Sequence, residues 1–459
     1  MLEGFHGFKE KIIGECVECG ECYKHCYAYK RTKFPIWLHL KDFFKNQTKA
    51  KEVRRFVNSC IYCKYHEYTC PNGLVLTELL PALRNDLSQI YPEFGWAPHI
   101  VPGFLGRILK SRRLYSWWRY MNNLLISEEY REKWDQRREP KKRDVVFFSG
   151  CGIQLLPDIY YTMLDVLEKL DIDFGLIDGH YNKAICCGTV AFLVGNYHYG
   201  KVVLNNLVKE IKKFGTKKVI IHCSTCNWGL TQIAPNILKD FDFEIIHAST
   251  YIAELLENNP ELKNMLEPLE EERVYAIHDS CHLVRGGDTE GARKLFKQLP
   301  GATVSEMEHN KLKAICDVYC VLRALPHRPL DLILNDDNIP ISKEAIESNA
   351  NTLSTLCLGC HAIQSLLGQN LFNTFGKKKR RIPIKNWTII LGEYLGLPKR
   401  RGIEFWLKHF ITKPFKDSLL NWILKAIKAL IFGYLLNRIP PIRVPKYLNI
   451  NKELIDENE

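Results

Sequence analysis

Several common signatures are missing from this sequence of 459 residues, and each absence closes off a class of function. There is no GxGxxG fingerprint and no Walker loop; RGGDTEG at 285–291 has the wrong spacing for a dinucleotide-binding turn. A flavin or nicotinamide, if the chemistry uses one, is expected on a partner chain. Residues Met1 to Gly14 carry charges throughout and lack the apolar core of a secretory signal, so the chain is expected in a reducing cytoplasm. A spanning helix needs about 20 apolar residues. Residues 419–436 are almost wholly apolar but shorter, and Lys425 and Lys428 join Ser418 and Asn421 in one polar stripe at helical spacing. The net charge is +12, with basic clusters such as REKWDQRREPKKR at 131–143. Such runs are solvated linkers or contacts for anionic lipid, and with no recognition motif beside them nucleic acid is not expected.

What the chain has in excess is cysteine. Seventeen thiols are more than packing needs, and in a reducing compartment a dense, odd-numbered set reads as metal ligands rather than a disulfide framework. The first group, CVECGECYKHC, places Cys16, Cys19, Cys22 and Cys26 in the spacing CxxCxxCxxxC. The second, CIYCKYHEYTCP, holds Cys60, Cys63 and Cys70 before Pro71, with His66 where a third cysteine would fall. Paired runs of this kind bind two 4Fe-4S cubes, the last cysteine of each run serving the other cube. One cube is then expected on Cys16, Cys19, Cys22 and Cys70, and the other on Cys26, Cys60 and Cys63. For the second cube His66 is either the fourth ligand, which would raise the potential, or a bystander.

The third and fourth groups repeat one another. Cys151, Cys186, Cys187, Cys223 and Cys226 form one set; Cys281, Cys316, Asp317, Cys357 and Cys360 form the other, with Asp317 in the place of Cys187. Cys151 to Cys186 and Cys281 to Cys316 are both 35 residues apart, and the following interval is 36 in the first set and 40 in the second. Across the four groups sixteen cysteines, His66 and Asp317 are used, which leaves Cys320 over. A disulfide between the neighbours Cys186 and Cys187 would be strained, so the pair is read as serving one metal cluster from a tight turn at Gly188.

The stretches RDVVFFSGC, KKVIIHCSTC, RVYAIHDSCH and NTLSTLCLGC each run an apolar, β-branched segment into a cysteine. Helical patterns such as IYYTMLDVLEKL and YGKVVLNNLVKEIKKFG lie between them. This alternation predicts an α/β fold with parallel sheets, which gather ligands at the carboxyl ends of their strands. His278, His282 and His361 lie close to second-set cysteines and are read as structural or, alternatively, as proton donors for released thiolate.

The pattern Cx34CCGx34CxxC, from Cys151 to Cys226, resembles the cysteine-rich CCG domain of heterodisulfide reductases. With the paired ferredoxin run ahead of it, the chain resembles a fusion of that enzyme's two iron-sulfur subunits, to about residue 395. The resemblance implies an N-terminal α-helical ferredoxin domain (1–95), a basic aromatic linker (96–142) and two duplicated Rossmann-like CCG domains (143–265 and 270–395). A membrane-associating amphipathic tail (396–459) would follow. It implies a noncubane 4Fe-4S cluster on Cys151, Cys186, Cys187, Cys223 and Cys226, where a disulfide is cleaved reductively. The second copy departs at Asp317 and Val318, so its cluster is of uncertain type, an ordinary cube on Cys281, Cys316, Cys357 and Cys360 being one form, with Asp317 or Cys320 as participants.

Partners implied are a disulfide or thiol substrate and an integral cytochrome b or quinone-reactive subunit. The location implied is peripheral, on the inner face of the cell membrane. Trp406 and Trp422 suit interfacial anchoring of the tail, and 103–123 has a similar basic and aromatic mixture; core or partner packing is the alternative for both. Two other functions fit the thiols. One is an electron conduit serving a glycerol-3-phosphate or glycolate type of dehydrogenase, and the other a zinc-stapled scaffold.

Overall fold

The structure is a computed structural model that describes most of residues 14–74 with Leu80 and Leu83, then 127–150, 156–178, 185–193, 197–316, 340–365, 382–400 and Gly402. The basic stretch at 103–123, the tail beyond Gly402, and Cys151, Asp317 and Cys320 lie outside the described residues.

Among the described residues the N-terminal lobe contains three short α-helices, α1 (Tyr27–Thr32), α2 (Ala50–Ser59) and α3 (Tyr65–Thr69). Cysteines sit at their ends: Cys26 precedes α1, Cys60 follows α2 and Cys70 follows α3. The repeat Val53, Phe56, Val57 puts one face of α2 inward, against Ala28 and Ile36. Each such fully buried side chain contributes about 1.5–3 kcal/mol. Leu193 and Trp228 of the following unit belong to the same cluster, so the lobe shares its core with its neighbour.

Two four-stranded parallel sheets follow. The first is built from β1 (Val145–Phe148), β2 (Phe174–Ile177), β3 (Lys218–Ile221) and β4 (Glu244–His247), in the order β2-β1-β3-β4. The second is built from β5 (Arg273–His278), β6 (Ala302–Ser305), β7 (Thr352–Thr355) and β8 (Ile384–Asn386), in the order β6-β5-β7-β8. Every pairing is parallel. VVFF and FGLI are buried at every position, as strands covered by helices on both faces must be.

In the first unit α4 (Pro157–Lys169) links β1 to β2, α5 (Tyr197–Lys212) precedes β3, α6 (Ser224–Trp228) follows it, and α7 (Ala248–Asn258) follows β4. The second unit has α8 (Cys281–Val284) after β5, α9 (Gly291–Phe296), α10 (Leu358–Ile363) after β7 and α11 (Trp387–Tyr394) after β8. Helices α4 and α11, α7 and α9, and α6 and α8 pack in pairs across the two units, around one continuous hydrophobic core. That explains why α4 is buried almost all round: one side meets its own sheet and another meets α11.

The alternation of strands and helices read from the sequence is therefore present, and the four cysteine-terminated strands are β1, β3, β5 and β7. In each sheet the order in which strands are added reverses beside the first strand, between β1 and β3 and between β5 and β7. Ligand crevices open at that point in sheets of this kind. Among the described residues no helix is long and apolar enough to cross a membrane.

Candidate metal centre

In the first unit two strand ends deliver cysteines to one place. β3 runs through His222 into Cys223, which stays extended, and α6 then turns Cys226 back beside it. The segment after β2 brings Cys187, whose Sγ lies 3.2 Å from Cys226 Sγ and 3.1 Å from Thr189 Oγ1. A disulfide measures about 2.05 Å, so these sulfurs are neighbours without a bond. The amide of Gly188 donates to Cys186 Sγ at 3.4 Å. Gly188 has φ +76, and a β-carbon there would stand 2.6 Å from the carbonyl oxygen of Gly200. Only glycine makes this turn without strain.

The end of β1 is pressed into the same cluster. Gly150, just before Cys151, has φ +73, and a β-carbon on it would lie 3.3 Å from Cys226 Sγ. Cys187, Cys223 and Cys226 are buried and Cys186 is half-buried. Hydrogen bonding from Cys186 and Cys226 holds the Cys187 thiol well below its usual range. Hydrogen bonding to Cys187 and Cys223, then burial, pushes Cys226 well above it. A largely buried, unbridged, all-sulfur donor set fits a thiolate-bound metal centre.

The second unit repeats the placement with different support. Cys281 opens α8 after β5, and Cys357 precedes α10, which carries Cys360; all three are buried, and Cys316 is half-buried. Ahead of Cys281, the carboxylate of Asp279 receives Arg293 at 3.0 and 2.7 Å and the amide of Lys311 at 2.6 Å. Arg293 also reaches Glu306 at 2.7 and 2.8 Å. One carboxylate thus ties the strand end at Cys281 to the turn that leads to Cys316. His282 and His361 are held at about 4 by burial and are uncharged at neutral pH. His361 Nδ1 lies 3.1 Å from Thr355 Oγ1, a structural role rather than an open proton donor.

In the N-terminal lobe a cavity is lined by Cys16, Cys19, Cys22 and Cys70, with Tyr23 and Leu74 behind them. Burial and the neighbouring thiols Cys26, Cys16 and Cys19 push Cys22 up to about 12. Cys26 is pushed up to about 11, by burial first, and Cys63 is near enough to add to the effect. Cys63 is raised by burial, with the Arg285 guanidinium opposing and Cys281 of the second unit adding. His66 is buried and held at about 4 by that burial, so its ring is neutral, the form that binds metals. Cys16, Cys19, Cys22 and Cys70 share one cavity, and Cys26 lies near Cys63.

Spacing did not reveal Arg293, Glu306, Arg285 or the buried pair His222 and His247. His222 is stacked on Trp387 at 5.2 Å, with Nε2 2.6 Å from Thr388 Oγ1; its carbonyl meets His247 Nε2 at 3.0 Å. The one local hint was Asp279, an acidic residue at a strand end beside a cysteine.

The family model for the CCG cysteine-rich domain matches twice, at residues 145–231 and 275–363, one match on each α/β unit. The chain is thus a protein with two CCG domains. One component of the dihydromethanophenazine:CoB-CoM heterodisulfide reductase of Methanosarcina barkeri is 27% identical over 419 residues, which covers 84% of this chain and 94% of that one. The corresponding component from Methanosarcina mazei is 26% identical over 421 residues, with the same coverage. Beyond its two CCG domains the chain is thus similar to these heterodisulfide reductase components over most of its length. A probable glycolate oxidase iron-sulfur subunit from Bacillus subtilis is 23% identical over 357 residues, covering 66% of this chain and 79% of that one.

Proposed function

We propose that the chain is an iron-sulfur subunit of a heterodisulfide reductase-like complex, in which a disulfide is reduced, or thiols oxidised, at the first CCG unit. The observation that carries this is the gathering of half-buried Cys186 and buried Cys187, Cys223 and Cys226 at the sheet end, unbridged, beside the turn into Cys151. Cys151, Cys186, Cys187, Cys223 and Cys226 would hold a noncubane 4Fe-4S cluster. Cys16, Cys19, Cys22 and Cys70 would hold one ferredoxin-type cube, and Cys26, Cys60, Cys63 and His66 the other. Cys281, Cys316, Cys357 and Cys360, with or without Asp317, would hold the fourth cluster.

When bound, such a cluster supplies one-electron storage and a soft site for sulfur. Splitting a disulfide takes two electrons and two protons, so the N-terminal lobe serves as a relay that delivers electrons singly. The protein's own groups set the site. Thr189 Oγ1 and the Gly188 amide lie on the sulfurs of Cys187 and Cys186, and hydrogen bonds to sulfur tune the potential. Burial of Cys187, Cys223 and Cys226 excludes water.

The partner is an integral cytochrome b or quinone-reactive subunit, with the tail 396–459 lying on the inner face of the cell membrane. The likeness to a glycolate oxidase iron-sulfur subunit favours a second reading, an electron conduit whose catalysis sits on a partner flavoprotein. The test is Cys186→Ser with Cys187→Ser in anaerobically loaded protein. Wild type should bind iron and acid-labile sulfide and give a paramagnetic signal on oxidation with substrate thiol; the variant should lack that signal. A variant that keeps it and its activity overturns the reading, and iron without any thiol response in wild type supports the conduit.

A further inference from the structure

Helix α8 and its end, CHLVR at 281–285, is where three cysteine-bearing regions meet. His282 is 1% exposed. Its Nδ1 lies 3.0 Å from Thr225 Oγ1, inside the turn between Cys223 and Cys226 of the first unit. Its Nε2 lies 2.9 Å from the carbonyl oxygen of Tyr62, inside the turn between Cys60 and Cys63 of the N-terminal lobe. The ring stacks on Trp228 at 4.8 Å and 20°. A carbonyl only accepts, so Nε2 carries the proton; Nδ1 of the uncharged ring then accepts from the Thr225 hydroxyl. Both partners stand one residue from a cysteine. Arg285 holds the junction closed by donating to the carbonyls of Cys63, Leu312 and Ala314, the last two in the turn that leads to Cys316.

We propose that His282 bridges the N-terminal lobe directly to the first CCG unit, carrying electrons along the path Tyr62 carbonyl, imidazole, Thr225 hydroxyl. The inference rests on the iron-sulfur reading above. One electron leaves the Cys60–Cys63 site, which is oxidised by one, and arrives at the Cys223–Cys226 site, which is reduced by one. The imidazole keeps its proton and charge throughout. It is a positioning residue, and the second unit supplies the bridge without being a required relay station. This gives a use to a copy that retains the fold while departing from the CCG pattern at Asp317 and Val318.

The experiment uses full-length protein loaded anaerobically with iron and sulfide. A photoexcited deazaflavin injects electrons, and freeze-quench paramagnetic resonance follows the N-terminal and CCG signals. His282→Phe keeps an aromatic ring beside Trp228 and removes both hydrogen bonds; Thr225→Val removes the hydroxyl and leaves the imidazole in place. Both should slow transfer between the lobes by roughly tenfold to a hundredfold, the scale on which a misplacement of about 1 Å is felt. Iron content and the equilibrium signals should be unchanged. His282→Gln, which restores a donor toward Tyr62, should recover part of the rate. Wild-type transfer in both His282→Phe and Thr225→Val overturns the bridge. Should His282→Phe fail to load, Thr225→Val decides alone. A wild type that takes up no iron and sulfide sinks the underlying reading instead, so the two failures are distinct.

Discussion

The two α/β units share one strand order, yet their first strands end in different ways. β1 runs into Ser149 and Gly150, and Gly150 takes φ +73 so that backbone passes close against Cys226. β5 runs into Asp279, whose side chain is 1% exposed and gripped by Arg293, itself 4% exposed. One unit brings backbone close against sulfur; the other sets, two residues before its cysteine, a buried ion pair that also holds the turn toward Cys316. The sheet fixes where the strand ends lie, and each end then sets its own polarity. A buried ion pair adds little net stability over apolar packing, but breaking one leaves a costly unpaired charge. The second unit is therefore the one whose site geometry depends on charge.

The largest effect that tests this contrast is expected at Arg293. Arg293→Met leaves the Asp279 carboxylate buried without its partner and should cost about 3–5 kcal/mol, read as a fall in the denaturation midpoint of the metal-free protein. Adding Asp279→Leu to the same chain should restore much of the loss, because replacing both members of a buried pair is close to neutral. Glu306→Gln should cost much less, since the Glu306 side chain is 43% exposed and solvent screens it. A single Arg293→Met variant as stable as wild type would remove the distinction between the units.

A smaller effect is expected from the first unit's own device. Gly188→Ala forces a β-carbon into a φ of +76 and toward the Gly200 carbonyl at 2.6 Å. The strain should cost about 1–3 kcal/mol. Iron uptake at the first unit should fall while the N-terminal lobe keeps its own. Equal iron loss from both regions would show that the turn acts on the whole fold rather than on its own site.

These contrasts were only partly legible in the amino-acid sequence. VVFF, KVII, RVYAIH and TLST announced β1, β3, β5 and β7 because each is an apolar or β-branched run that ends at or near a cysteine. FGLI, EIIH, ATVS and IKN did not stand out, for three or four residues without a marker become strands only through the partner they pair with. The CCG spacing placed Cys186, Cys187, Cys223 and Cys226 in one set, and the fold puts Cys187 Sγ against Cys226 Sγ. The contacts that support the sites were not readable. Arg293 meets Asp279 across 14 residues, and His282 reaches Tyr62 across 220, distances over which no local pattern speaks.

The smallest effect concerns the last strand of each sheet, where His247 precedes α7 and Asn386 precedes α11. Asn386 caps its helix by accepting from the Thr388 amide at 3.1 Å. His247 instead places Nδ1 2.7 Å from Ser249 Oγ and donates from Nε2 to the His222 carbonyl. Burial lowers His247 from 6.5 to about 4. Between those values the unfolded chain binds the proton and the folded chain refuses it, so the stabilising share of a neutral His247 is complete above pH 6.5 and is lost as pH falls toward 4. Below about 4 both states are protonated and the loss stops growing. His247→Asn installs the second unit's residue, which does not titrate. At about pH 7 its unfolding free energy should stay near wild type, asparagine being a good N-cap. Between pH 6.5 and 4 the dependence of stability on pH should become shallower, as measured by denaturant unfolding at each pH. An unaltered slope would mean that His247 is already protonated in the folded chain, and that the two sheet edges differ in shape and not in charge.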